Sequence, residues 1–237
     1  MASQKRYQLI LKIRRYDPAT RKGVWQSYSI EAGGIQRFVD LFRTINDTRD
    51  ATLAWNSSCE HGQCGTCSVR INGKPLLACE LLVENAVRDF KTTEFVIEPI
   101  DVAPVVRDLV VDTEVAYQRL DQVKPYVIAP LPAEAGKTHC IAPQTLARYV
   151  SATRCINCFC CTAACIAGRR RFLGPNAMLA AIVRTMDPRE TDKTSRREVL
   201  FGDQGVARCH TSHACSRVCP KEIDVADYLA RAKGGQI

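Results

Sequence analysis

Long hydrophobic runs are missing from this sequence. No stretch approaches the ~20 apolar residues that a membrane-spanning helix needs, and the longest candidate covers only residues 177–183. No apolar segment follows the basic residues 1–6, so a signal peptide is not expected. Internal repeats and low-complexity tracts are also absent. With 46% hydrophobic and 24% charged residues, the chain is expected to be a soluble globular protein that reaches a membrane only through a partner.

Cysteine, by contrast, is abundant, with 13 in 237 residues. In a chain without a secretory signal, this number indicates a reducing compartment and thiols kept for metals or catalysis. The odd count agrees with thiols that are not paired in disulfides. Net charge is +8 and uneven, because 14 basic and 12 acidic residues up to residue 105 give +2, whereas 19 and 13 after it give +6. The second half is therefore expected to meet any anionic surface.

The residue pattern changes at Pro104, which predicts two domains, residues 1–104 and 105–237. In the first, the patterns predict strands over 7–14, 25–30 and 94–98, a helix over 35–45 and a hairpin turn at Asn72-Gly73. In the second, apolar residues from Val106 to Leu120 share one helical stripe, and further helices are predicted over 143–151, 175–186 and 224–233. The predicted fold class is α+β with a mainly helical second domain.

Four cysteines of the first domain have the spacing that holds a [2Fe–2S] cluster in plant-type ferredoxins: Cys59, Cys64, Cys67 and Cys79. A tight loop supplies three thiolates and the far arm of the hairpin supplies the fourth, while Gly62 and Gly65 give the loop backbone freedom. The alternative is structural zinc, since Cys64-x2-Cys67 alone suits a zinc knuckle, although zinc sites more often use two spaced pairs. His61 is expected to face solvent. These features predict a plant-type ferredoxin domain of the β-grasp fold.

Two cysteine strings occupy the second domain, Cys155-x2-Cys158-x2-Cys161-x3-Cys165 and Cys209-x5-Cys215-x3-Cys219-Pro220. The first has bacterial ferredoxin spacing, in which three close cysteines hold one cluster and the last crosses to the other. The second string is the same motif with Ser212 at a vacant ligand position. The crossing rule predicts a [4Fe–4S] cluster on Cys155, Cys158, Cys161 and Cys219. It leaves Cys165, Cys209 and Cys215 for a cluster with three thiolates, which suits [3Fe–4S].

Two cysteines fall outside these sets. Cys160 is out of step with the spacing of its neighbours, and Cys140 lies in a proline-rich connection. Both are expected to be ordinary small buried residues. A redox-sensing role for either has no support in the sequence.

With these motifs the chain resembles the iron–sulfur subunits of the succinate:quinone oxidoreductase and quinol:fumarate reductase family. The matching segments are Arg15-Tyr16-Asp17-Pro18, Ser58-Cys59, Cys64-Gly65, residues 104–109, Cys209-His210 and Cys219-Pro220-Lys221. The resemblance implies a subunit without catalytic residues, which links an FAD-containing flavoprotein to membrane anchors that hold quinone and often haem. Electrons would pass through [2Fe–2S], [4Fe–4S] and [3Fe–4S] in that order. Nucleic acid is not an expected partner.

The same resemblance implies a peripheral position on the cytoplasmic face of the inner (plasma) membrane, attached through the anchor subunit. It leaves the direction open, because succinate oxidation and fumarate reduction use one ligand set. A cluster subunit of another oxidoreductase, such as a glycolate or heterodisulfide system, and a zinc-stabilised interaction module are the competing classes. The plant-type domain joined to the deficient ferredoxin motif argues against both.

Three features bear on the quinone. The family usually has proline after the cysteine that matches Cys165, whereas this chain has Ile166. Many relatives then carry tryptophan, whereas this chain has glycine followed by Arg169, Arg170 and Arg171, which either lie near the anchor and the membrane or form a solvated basic face. His210 matches the family's histidine near the quinone head group, and its alternative role is to pack beside the cluster.

Overall fold

The computed structural model describes residues 5–20, 22–128, 136–167 and 171–237. The chain forms two compact units, one of Met1–Thr113 with Ile156–Ala163 and the other of Glu114–Cys155 with Ala164–Ile237. Residues Ile156–Ala163 therefore pack with the first unit, although both of their neighbours along the chain belong to the second. The division into functional domains at residues 104 and 105 stays a prediction.

The strands and helices of the first unit are β1 Arg6–Asp17, β2 Lys22–Gly33, α1 Phe38–Thr48, β3 Ser68–Ile71, β4 Lys74–Leu77, α2 Val83–Phe90, β5 Glu94–Pro99, β6 Val105–Arg107 and β7 Val110–Val111. Strands β1 to β5 form a mixed sheet in the order β2-β1-β5-β3-β4. Strand β1 is antiparallel to β2 and parallel to β5, and β3 is antiparallel to both β4 and β5. A four-residue helix, Cys160–Ala163, also packs here and is numbered α5 in chain order. This mixed sheet with its helices fits the β-grasp fold predicted for the first domain.

The core of the first unit follows the period of each element. In β1, Leu9, Leu11 and Ile13 are fully buried, whereas Ile10 between them is 42% exposed, as alternation along a strand requires. Helix α1 buries its apolar stripe, including Phe38, whose ring meets that of Phe95 edge-on at 5.2 Å. The helix thus packs on one face of the sheet, and the chain that follows it leads to the cysteines.

Most sequence predictions for this unit are confirmed. Residues Ser68–Ile71 and Lys74–Leu77 form the hairpin about Asn72-Gly73, and both turn residues have positive φ. The helical stripe predicted from Val106 is wrong at its start, because β6 and β7 form a two-stranded ribbon there. Asp108 turns the chain with φ +45°, and its carboxylate accepts the Tyr16 and Ala54 N–H groups at 2.8 and 2.9 Å. These long-range hydrogen bonds override the local helical period.

The second unit is mainly helical, as predicted. Its helices are α3 Thr113–Asp121, α4 Pro143–Ala147, α6 Pro175–Met186, α7 Lys193–Phe201, α8 Ala214–Arg217 and α9 Val225–Lys233, with 3₁₀ turns at Val150–Arg154 and Val206–Arg208. Helix α6 is largely buried and packs against α7 and α9. It begins at Pro175, which suits the first helical turn because no N–H is lost there. Within the described ranges, no helix has the length and hydrophobicity needed to cross a bilayer.

A buried ion pair holds the second unit together. Arg196 of α7 is 2% exposed and pairs with Glu190 at 3.0 Å. Its guanidinium also donates to the carbonyls of Val123 at 2.6 Å and of Tyr126, and Glu190 accepts the Ile128 N–H at 2.7 Å. Because the Arg196 and Glu190 side chains are both buried, each charge depends on the other and on these backbone groups.

Replacement of Arg196 by Met is therefore expected to lower the free energy of unfolding by about 3–5 kcal/mol, since it leaves the Glu190 carboxylate buried without its cation. The matched control is Arg231→Met, whose partner Asp227 lies 3.8 Å away on the surface of α9, with 53% of that side chain exposed. That change should cost only about 0.5 kcal/mol. Denaturant unfolding followed by far-UV circular dichroism measures both. Similar losses in the two variants would contradict the role given to burial.

Candidate metal centres

The first cysteine loop, residues 59–67, is the last part of the connection between α1 and β3 and has no helix or strand. Its backbone enters the left-handed region at Glu60, Gly62 and Gly65, with φ of +56°, +70° and +77°. Such turns point successive N–H groups inward, which forms a concave surface suited to an anion. Cys59 and Cys64 are half-buried, whereas Cys67 and Cys79 are buried.

Backbone N–H groups of this loop point at cysteine sulfur. Gly62 donates to the Cys79 Sγ at 3.3 Å, and Gln63 donates to the Cys59 Sγ at 3.2 Å. The backbone N–H of His61 and that of Gln63 lower the pKa of the Cys59 thiol to about 7. Burial has the opposite effect and raises the pKa of Cys67 to about 12. The loop therefore stabilises a thiolate at Cys59, while deprotonation of Cys67 needs the compensation that a bound metal supplies.

The two loop glycines, both in the left-handed region, have different neighbours. A Cβ at Gly65 would lie 2.8 Å from the Cα of Cys158, which is closer than atoms can approach. A Cβ at Gly62 would meet only the carboxylate end of the Glu80 side chain, which is exposed and can turn away. The backbone at Gly65 thus contacts the segment Ile156–Ala163 directly.

A pocket in the second unit brings together the residues predicted for the three-thiolate cluster. Its lining includes Cys165, Cys209, Cys215, Ser212 and His210. Burial raises the pKa values of the Cys165 and Cys215 thiols, so the deprotonated forms again need a positive partner. Ser212 is half-buried and His210 is exposed. The structure therefore places the predicted vacant position beside the three thiols that it would complete.

Three further cysteine sulfurs of the second unit accept N–H hydrogen bonds. The donors are Thr211 N–H to Cys209 at 3.4 Å, Ile223 N–H to Cys219 at 3.4 Å, and the Asn176 side-chain amide to Cys155 at 3.5 Å. Cys158 and Cys161 lie in the first unit, and a hydrogen bond with the Cys160 thiol lowers the pKa of Cys158. A thiolate accepts hydrogen bonds far better than a thiol, so this donor set fits sulfurs that carry charge on a cluster.

The arrangement differs from that of a single-ion site. Zinc binds four thiolates at about 2.3 Å, which crowds their sulfur atoms together. Among the described residues, no three His, Cys, Asp or Glu side chains are grouped in a way that could hold one metal ion. In a cubane-type cluster each thiolate binds a different iron atom, and in a [2Fe–2S] cluster the four thiolates are divided in pairs between two irons, so the full set stands further apart than around one ion. All thirteen cysteines lie in described ranges, and none forms a disulfide.

The residues outside the predicted ligand sets agree with the sequence predictions only in part. Cys160 is fully buried and His61 is exposed, as predicted. The prediction that Cys140 is buried is wrong, because Cys140 is exposed on an irregular segment, with its thiol 3.9 Å from the Thr138 carbonyl. Arg169 and Arg170 lie outside the described residues, and Arg171 is exposed. Sequence reasoning also missed Asn176, whose place next to the first residue of α6 carries no ligand signature.

Comparison with known proteins identifies the family. Residues 10–118 match the model of a 2Fe-2S iron-sulfur cluster binding domain, and residues 151–223 match that of a 4Fe-4S dicluster domain. The chain is 32% identical over 237 residues to the fumarate reductase iron-sulfur subunit of Haemophilus influenzae, covering 94% of this chain and 91% of the relative. The chain belongs to the succinate dehydrogenase and fumarate reductase iron–sulfur subunit family.

Both branches of that family are similar to this chain. A mitochondrial succinate dehydrogenase [ubiquinone] iron-sulfur subunit of Oryza sativa is 32% identical, covering 92% of this chain and 70% of the relative. A chain of the Mycobacterium smegmatis Sdh1 complex in the apo form superimposes with a TM-score of 0.86 at 26% identity, covering 98% of this chain and 96% of that one. The two-ferredoxin fold predicted from the sequence is therefore confirmed.

The two loop glycines give a matched test of the first site in this iron–sulfur subunit. Gly65→Ala should abolish assembly of the first cluster, because the new Cβ cannot fit unless the Cys158 backbone moves. Gly62→Ala carries a similar left-handed strain of about 1–2 kcal/mol but meets only a mobile side chain, so most of the iron should remain. Iron content and the visible spectrum measure both. Equal iron retention in the two variants would contradict the close approach at Gly65.

Proposed function

We propose that this chain carries electrons through three iron–sulfur clusters between a flavoprotein subunit and membrane quinone. The observation that carries the proposal is the pocket that Cys165, Cys209 and Cys215 line together with Ser212. Three thiols and a hydroxyl at the fourth position suit an iron–sulfur cluster that lacks one iron. A fourth position without a thiol distinguishes this site, since neither a structural zinc site nor an ordinary [4Fe–4S] ferredoxin needs one.

The proposed ligands follow the crossing rule. Cys59, Cys64, Cys67 and Cys79 hold [2Fe–2S], Cys155, Cys158, Cys161 and Cys219 hold [4Fe–4S], and Cys165, Cys209 and Cys215 hold [3Fe–4S]. The N–H donors at five of these sulfurs support the assignment. The [2Fe–2S] ligands would define a domain of residues 1–104, and the other two sets a domain of residues 105–237.

When bound, each cluster accepts and releases one electron, and the protein tunes and insulates it. Loop N–H groups, such as that of Gly62 on Cys79, spread the negative charge of the thiolates and so favour the reduced state. Burial of Cys67 and Cys215 excludes water from the sulfur atoms. In this account the chain has no catalytic residue, and substrate oxidation or reduction belongs to the flavoprotein.

The partners are proposed from the family. They are an FAD-containing flavoprotein, and a membrane anchor that holds quinone and, in many relatives, haem. The chain would then be a peripheral subunit on the cytoplasmic face of the inner (plasma) membrane. His210, exposed beside Ser212, is the proposed quinone contact. The exposed Ile166, which replaces the usual proline, lines the same pocket and adds an apolar surface for a quinone ring.

The direction of electron flow defines a second candidate. Relatives named fumarate reductase iron-sulfur subunit from Haemophilus influenzae and Mycobacterium tuberculosis are each 32% identical to this chain. The succinate dehydrogenase relative has the same identity, so quinol oxidation with fumarate reduction is supported as strongly as succinate oxidation. The isolated complex separates the two reactions. Faster turnover with succinate and quinone supports dehydrogenation, and faster turnover with quinol and fumarate supports reduction.

Iron analysis of anaerobically purified protein tests the proposal itself. We expect about nine iron atoms per chain, distributed over clusters of two, four and three irons. Co-purification of a flavin-containing subunit and a small membrane protein is expected in the native complex. Stoichiometric zinc, or a fully folded protein with far less iron, would show that the cysteine strings do not hold clusters.

Ser212→Cys tests the vacant ligand position. A serine hydroxyl has a far higher pKa than a thiol, so it is a poor ligand at neutral pH, whereas cysteine supplies a thiolate. The variant should recruit a fourth iron, lower the reduction potential of this centre and slow quinone reduction, with flavin chemistry unchanged. Electron paramagnetic resonance (EPR) of the oxidised protein measures the change, because oxidised [3Fe–4S] is paramagnetic and oxidised [4Fe–4S] is silent.

The control is Ser216→Cys, four residues further along, where the hydroxyl binds the Asp224 carboxylate at 2.7 Å and does not line the pocket. That variant should keep the oxidised signal. If Ser212→Cys keeps the oxidised signal at full strength, the vacant ligand position is not at Ser212. A wild-type protein with full iron and no oxidised signal would mean that Ser212 itself is a ligand.

A further inference from the structure

Ser68 occupies an unusual position directly after the cluster ligand Cys67. It is the first residue of β3 and is 7% exposed. Its hydroxyl lies 2.7 Å from the Gly65 carbonyl and 3.0 Å from the Cys158 carbonyl. One carbonyl belongs to the loop of the first proposed cluster, and the other belongs to a ligand of the second. A single buried side chain therefore contacts both binding segments.

The hydroxyl is also an acceptor. The Cys160 thiol, fully buried, donates to the Ser68 Oγ at 3.8 Å. A serine has one O–H donor and two acceptor lone pairs, so the Ser68 O–H is shared between the two carbonyls while its oxygen can accept the Cys160 thiol. The single S–H of Cys160 is in turn shared between Ser68 and the Cys158 sulfur. Cys160, which is outside the ligand spacing, thus contacts both Ser68 and a proposed ligand.

The backbones of the same two segments are in direct contact. At Gly65 the chain approaches the Cys158 Cα so closely that no side chain fits, with a Cβ only 2.8 Å away. Residues Ile156–Ala163 pack within the first unit, so this contact lies inside one compact body. The two segments thus lie as close together as their backbones allow at Gly65, and the Ser68 hydroxyl lies within hydrogen-bond distance of a carbonyl in each of them.

We propose that Ser68 is a positioning residue for electron transfer, which holds the [2Fe–2S] loop against the [4Fe–4S] ligand Cys158. The inference rests on the proposed function, since it needs both clusters to be present. The step that it serves moves one electron between the two clusters, one of which is oxidised as the other is reduced, with no bond formed or broken and no proton taken up. Because electron tunnelling falls steeply with distance, a contact that fixes the two ligand segments also fixes the rate.

The test uses Ser68→Ala in the assembled complex, with both clusters reduced. Two nearby paramagnetic centres broaden each other's EPR spectra, so the broadening reports their separation. Loss of the hydroxyl should favour molecules in which the two segments have separated over molecules in which they are in contact. The ratio of the two populations should rise about fivefold, which corresponds to one hydrogen bond of about 1 kcal/mol. An unbroadened component should grow accordingly, and electron transfer between the centres should slow, at unchanged iron content.

Two further variants make the result specific. Ser57→Ala is the matched control, because its hydroxyl lies in the same region but binds the Glu60 carboxylate at 3.2 Å. It should leave the broadening unchanged. Ser68→Thr keeps a hydroxyl and should restore the wild-type spectrum. If Ser68→Ala loses its iron, Ser68→Thr decides, since a wild-type broadening supports the role of the hydroxyl and an unbroadened component opposes it.

The outcomes separate this inference from the function on which it rests. A wild-type chain without two paramagnetic centres in the reduced state would overturn the cluster assignment, and the positioning role with it. A wild-type chain with both centres, and a Ser68→Ala spectrum and transfer rate identical to it, would overturn the positioning role alone.

Discussion

Negative charge on partly buried sulfur is the constraint on which the rest of the structure depends. A thiolate removed from water needs donors, and a sequence has few ways to supply several of them at one point. In the first unit the loop does so with its own backbone, which turns into the left-handed region so that Gly62 and Gln63 direct their N–H groups at Cys79 and Cys59. The glycines, the hairpin and the sheet beneath it all follow from the need to hold that backbone in place.

The second unit solves the same problem with less regular structure. Its donors come from the positive-φ residue Thr211, from Ile223 before α9 and from the side chain of Asn176 in α6. Short helices cannot hold such groups by propensity alone. The buried Arg196–Glu190 pair and the packing of α6 against α7 and α9 supply the rigidity instead. The fold therefore positions N–H donors at cysteine sulfurs in both units, by different means.

The sequence predicts those parts of the molecule that local pattern governs. The hairpin at Asn72-Gly73 and helix α6 are found as predicted, because turn chemistry and an N-terminal proline act within a few residues. The ribbon at β6 and β7 was not predictable, since it depends on Asp108 meeting Tyr16 and Ala54, which are distant in sequence. Helix α2 went unseen because it buries only Val83 and Ala86, too few for a helical stripe. Among the candidate site residues, cysteine spacing grouped Cys165, Cys209 and Cys215 with Ser212, and these four line one pocket, whereas Ser68 and Asn176 make contacts that no motif records.

The packing of Ile156–Ala163 with the first unit has a consequence for biosynthesis. During translation, the sheet formed by β1 to β5 is complete once residue 99 has left the ribosome, but the surface at Gly65 lacks its covering segment until some sixty residues later. The first unit is therefore a discontinuous folding unit, and its cysteine loop is open to solvent throughout that interval. Any factor that delivers iron and sulfide to the nascent chain has access to the loop before residues 156–163 close over it.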